Sequence, residues 1–170
     1  MKVISRELYT GPGPISIDIT HSSIEKPLFK SVNLSYVVGL LKASPLFSVG
    51  APKEQAWYGP YIKEKILEQH FREIASGQLL NEVRYFLKLV NKENGNWITD
   101  VDLFVDKVEF NTRYIPSDDT RFYYFTPSFS KRPMKGIDGI TDECIIGFDY
   151  FLCIVGFNQT NVYLFSIWYD

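Results

Sequence analysis

The sequence predicts an α+β fold, with central helices packed on a C-terminal, mainly antiparallel curved β-sheet. Apolar residues recur at helical spacing through the middle of the chain, whereas the last third breaks into short runs rich in Phe, Tyr, Ile and Val. Turn residues punctuate both regions. A length of 170 residues suits one domain with a sizeable core.

At the N-terminus, Lys2–Tyr9 and Ile15–Thr20 are strand candidates joined by Gly11-Pro12-Gly13-Pro14, which can only turn. Ile15, Ile17 and Ile19 face one way, with Ser16, Asp18 and Thr20 on the other side. Leu34, Val37, Val38 and Leu41 then recur at helical spacing until Pro45. The cleanest helical pattern follows Pro60: Ile62, Ile66, Leu67, Phe71 and Ile74 make a stripe, with Gly77 where a C-cap glycine belongs. A second amphipathic run carries Leu79, Leu80, Val83, Phe86, Leu87 and Val90, and stops at Asn94-Gly95. So short a connection predicts two antiparallel helices packed together.

Residues Trp97 to Phe110 are ambiguous: the helical period fits throughout, whereas Phe104, Val108 and Phe110 break a strand's alternation. Their apolar spacing favours a helix and their Val and Phe content a strand, so a helix giving way to a strand near Val108 is expected. Arg121–Thr126, Glu143–Phe157 and Val162–Trp168 read as strands, the last two closed by the loop Asn158-Gln159-Thr160-Asn161.

Composition removes several classes of function. The net charge of −2 offers no basic excess for nucleic acid or an anionic membrane, and the acidic excess lies in residues 86–170. No apolar tract is long enough to span a bilayer, and residues 1–9 have no signal-peptide core. Cys144 and Cys153 are the only cysteines and are expected to be reduced core residues, which makes a cytoplasmic, bacterial-type protein the default expectation. The Asn-x-Thr at Asn158 is then a turn rather than a glycan site.

The catalytic inventory is thin, and the protein is not expected to be an enzyme or to need a cofactor. Phosphate-cradling glycine motifs and a Gly-x-Ser-x-Gly elbow are absent. Two isolated histidines and two cysteines nine residues apart give no zinc spacing. A Cys–His nucleophile would need an accessible, electropositive thiol, and both cysteines sit among Ile, Phe and Leu. His70 reads as a core or boundary histidine and His21 as a solvated one at a strand end.

Binding is the stronger expectation. Asp102, Asp106 and Glu109 share a face at helical spacing, either as a plain solvated face or as an acidic contact patch; a two-carboxylate site among them supplies too few ligands for a hard cation. Trp57, Tyr58 and Tyr61 lie beside Gly59-Pro60, a rigid aromatic arrangement suited to an interface or to pinning a loop on the core. Tyr123 belongs to Arg121-Phe122-Tyr123-Tyr124-Phe125, a strand aromatic on both faces, and the two strands that follow share that character. A half-exposed antiparallel strand alternates apolar with polar, so both faces of this sheet need a cover. A curled sheet, a pocket, a second subunit or a foreign partner would supply it.

These observations lead to the expectation of a small protein-binding inhibitor resembling, as a class, the immunity proteins that neutralise a bacterial toxin. A basic toxin domain is the electrostatic complement. The alternative is a cone-like α+β domain whose aromatic-lined pocket gathers Tyr123, Tyr150, Asp149 and His70. A homodimeric structural protein, paired through the aromatic sheet face, is the third possibility.

Overall fold

The computed structural model describes residues 1–10, 15–24, 31–44, 57–58, 61–96, 98, 100–126 and 150–169, with the backbone alone at 57–58. Its centre is a six-stranded, wholly antiparallel sheet. In chain order the strands are β1 (Lys2–Thr10), β2 (Ile15–Ser23), β5 (Phe71–Ile74), β6 (Arg121–Phe125), β7 (Tyr150–Phe157) and β8 (Asn161–Tyr169). Across the sheet they lie β1-β2-β8-β7-β6-β5, so the N-terminal hairpin joins the remaining strands through pairing of β2 with the last strand, β8. A two-stranded ribbon, β3 (Trp57–Tyr58) and β4 (Tyr61–Ile62), stands apart. Among the described residues three α-helices accompany the sheet in an α+β fold: α1 (Leu34–Ala43), α2 (Leu79–Glu93) and α3 (Val101–Thr112).

Strands β6, β7 and β8 are covered on both faces by this chain, whereas edge strand β1 stays largely exposed, Val3, Ile4 and Leu8 included. On one face Val37, Val38 and Leu41 of α1, with Tyr61 and Ile66, pack on Tyr123, Phe125, Phe151, Val155 and Phe157. On the other, Val83, Phe86, Leu87 and Val90 of α2 and Phe104, Val105 and Val108 of α3 pack on Ile17, Phe122, Ile154, Phe165 and Ile167. The doubly aromatic strands follow from that three-layer arrangement. Phe122 feeds one core and Tyr123 the other, because successive side chains point to opposite faces. A second subunit or a foreign partner is not required to shield these strands.

Local chemistry sets the helix ends. Asn33 caps α1 by accepting from the Tyr36 N–H at 2.9 Å, and Asp100 caps α3 by accepting from the Leu103 N–H at 2.9 Å. Helix α2 stops at Asn94, after which Gly95 and Asn96 adopt φ of 70° and 61°. The loop between β7 and β8 closes on Asn158, whose Oδ1 accepts the N–H of Thr160 at 3.0 Å and of Asn161 at 2.9 Å.

Two sequence expectations fail. The helix expected after Pro60 is instead β4, two single 3₁₀ turns and edge strand β5. Pairing of Phe71–Ile74 with β6 supersedes the helical stripe and sends Phe71 to one core and Ile74 to the other. Gly77 consequently sits in a 3₁₀ turn leading into α2, and the helix that α2 packs against is α3. The segment from Val101 is helical through Thr112, with no strand after Val108. Glu143 to Asp149 and Cys144 lie outside the described residues.

Candidate functional site

With the aromatic strands β6 to β8 covered on both faces, the apolar residues left exposed lie on edge strand β1 and on the helices, and α3 carries a contiguous set. Helix α3 buries Phe104, Val105 and Val108, yet its opposite side carries Leu103 at 50%, Phe110 at 51% and, just beyond its end, Tyr114 at 79% exposure. Spacings of seven and four place these three on one stripe. The rings of Phe110 and Tyr114 meet edge to face at 6.1 Å between centroids. This side presents apolar surface that the fold does not use.

Asp102, Asp106 and Glu109 border that stripe on the same helix. Two of them face a base: Asp102 lies 3.8 Å from Arg84 of α2, and Glu109 3.6 Å from Arg113. Asp106 is exposed and makes no ion pair among the described residues. The acidic patch is therefore softer than its sequence spacing implies, with Asp106 as its open charge.

The aromatic candidates are placed elsewhere. Tyr61 is fully buried, edge-on to Phe125 at 4.9 Å and to Phe151 at 5.6 Å, and burial pushes its hydroxyl well above the usual tyrosine range. Tyr123 is buried and stacked on Phe157 at 5.4 Å. The side chains of Trp57 and Tyr58 lie outside the described residues. The convergent pocket of the alternative expectation does not form as expected: Tyr123 belongs to one core, Tyr150 to the other, and Asp149 is outside the description.

The histidines divide. His70 is buried and its Nδ1 accepts the Leu67 N–H at 3.0 Å, as a satisfied core histidine should. His21 is no solvated loop residue. It stands within β2, stacks on Tyr163 at 4.6 Å, and its Nε2 donates to Asn161 Oδ1 at 2.9 Å. Cys153 is fully buried on the face opposite Tyr163 and its partner His21, so these two form no nucleophilic pair.

Two of the concavities among the described residues join side chains that lie far apart in the sequence. A pocket of about 280 Å³ opens between α3 and β1, β2 and β8, with Ile19 and Phe165 as floor, His21 and Tyr163 as one wall, Phe110 and Tyr114 at the mouth, and Glu7 on the rim. Burial raises the Tyr163 hydroxyl above its usual range, assisted by the charge of Asp119. A wider cleft of about 680 Å³ lies by the start of α1 and is lined by Glu68, Asp118, Asp119 and Arg121 among others. The only signal in the sequence was the surplus of apolar residues on α3 after its core stripe is assigned. The pocket itself joins residues more than a hundred positions apart.

Among the described residues no group of three or more His, Cys, Asp and Glu side chains could hold a metal ion, and no helix is long and apolar enough to cross a membrane. No protein-family model, curated protein or solved structure matches the chain.

Proposed function

We propose that the protein is a binding protein of inhibitor type, which holds a protein partner on the outer side of α3 in the manner of a toxin-neutralising immunity protein. The observation that carries this reading is the exposed stripe Leu103, Phe110 and Tyr114 beside the open charge of Asp106. Partly exposed aromatic residues ringed by polar ones are the usual composition of an interface core. The acid beside them favours a partner with a basic rim and speeds encounter more than it adds affinity.

Affinity capture from the source cell with the full chain, run in parallel with Leu103→Asp/Phe110→Asp, tests it. One stoichiometric partner on the parent protein and none on the folded variant is the expected result. A partner retained by the variant, or no stoichiometric partner on the parent, overturns the assignment. With the partner in hand, neutralising Asp102, Asp106 and Glu109 together slows association and flattens its salt dependence, most of the change arising at Asp106.

A further inference from the structure

The pocket beside α3 has a chemistry more specific than the helix surface around it. Glu7, on edge strand β1, lines this concavity, and its carboxylate reaches Asn111 of the same lining. Its Oε2 accepts from the Tyr9 hydroxyl and from Asn111 Nδ2 at 3.3 Å, both of them neutral donors. Oε1 takes no hydrogen bond, and Glu7 makes no ion pair, among the described residues. Lys107 sits over the Tyr9 ring, 5.4 Å from its centroid. One carboxylate thus lines an aromatic-walled pocket without an ion-pair partner among the described residues.

We infer that this pocket is a socket for a guanidinium group, the tip of an arginine side chain carried by the partner that docks on α3. The inference rests on the docking reading given above. The planar guanidinium is the cation whose chemistry matches each wall. It bonds a carboxylate through two parallel N–H groups, and it lies flat on aromatic rings such as His21–Tyr163 or the Phe110–Tyr114 pair at the mouth. An ammonium is a strongly hydrated point charge and loses more water on entering. A neutral apolar group would fill the floor formed by Ile19 and Phe165 but would desolvate Glu7 without a partner. An anion would be repelled.

The test uses the full chain and three small probes: ethylguanidinium, ethylammonium and toluene, each titrated while the side-chain NMR signals of His21, Phe110 and Tyr163 are followed. Saturable shifts with ethylguanidinium, at least about tenfold weaker in Glu7→Gln and weaker with ethylammonium, are expected. Phe110→Ala, at an exposed position that the fold tolerates, weakens the same binding and guards against a Glu7 variant that misfolds. Toluene binding as well as ethylguanidinium, or indifference to Glu7→Gln, overturns the socket. A capped arginine peptide binds at least as well as free L-arginine if the group belongs to a partner; a strong preference for the free amino acid overturns that source. Loss of capture in the α3 variant with no guanidinium binding leaves the docking reading standing and the socket refuted. Guanidinium binding with capture indifferent to α3 refutes docking instead, and with it the partner as source of the arginine.

Discussion

Phe122 lies across Gly156, its cross-strand partner, so closely that a Cβ added to the glycine would stand 2.7 Å from Cε1 of the ring. The glycine leaves room for an aromatic side chain that is 3% exposed and packed in the core shared with α2 and α3. Gly156→Ala should therefore cost about 1–3 kcal/mol through displacement of the ring. The readout is the urea midpoint at unchanged slope. Adding Phe122→Leu should recover part of the loss, and strictly additive effects would show that the two positions are not coupled.

Asp18 is a carboxylate at 2% exposure, held by the guanidinium of Arg6 across the β1–β2 pair, with Nε at 3.0 and 3.2 Å from its two oxygens. Thr20 Oγ1 donates to it at 3.1 Å. Arg6→Met leaves this charge buried without its cation. Because the Arg6 side chain is 41% exposed and water can reach the site, the expected loss is about 2–3 kcal/mol, below the range for a fully enclosed pair. The double change with Asp18→Asn should be more stable than Arg6→Met alone. Thermal unfolding at neutral pH decides, and an Arg6→Met protein within about 0.5 kcal/mol of the parent would contradict the argument.

Lys63 is 3% exposed and makes no ion pair among the described residues. Burial pushes its ammonium below the usual lysine range, and the nearby Glu64 opposes that only in part. At neutral pH the folded protein bears the cost of a desolvated charge. As pH rises from the depressed folded value to the ordinary lysine value, the unfolded chain holds the proton that the folded chain has released. Stability attributable to this group therefore rises with pH across that window. Lys63→Met should stabilise the protein by up to about 1 kcal/mol at pH 7. That advantage should shrink toward pH 10. Comparing the two proteins at both pH values cancels the opposite alkaline contribution of Tyr61, common to both. A gain that is the same at both values, or a loss at pH 7, would refute it.

How far the fold was legible depends on where each element's pattern comes from. The alternation of Ile15, Ile17 and Ile19, the α2 stripe ending at Asn94-Gly95, and the loop at Asn158 are local signals, and all appear where the sequence puts them. Phe71 and Ile74 misled because a helix and a strand buried on both faces can show the same apolar residues. Only pairing with Phe125 and Phe122 separates the two. Of the candidate site, Asp102, Asp106 and Glu109 were legible as one helix face. The pairing of Asp102 with Arg84 was not, since Arg84 arrives from the packing of α2, whereas Glu109 and Arg113 stand four residues apart in the chain.

By itself the sequence determined the α+β class, the acid on α3 and the need to cover an aromatic sheet on both sides, because composition and short-range periodicity dictate backbone preference and burial. Tertiary structure decided what supplies that cover, placing α1 on one face and α2 with α3 on the other. It also decided that Glu7 of β1, His21 of β2, Phe110 of α3 and Tyr163 of β8 meet around one cavity. Contacts between residues so distant in the chain arise from strand order and helix packing, and no local pattern of side chains records them.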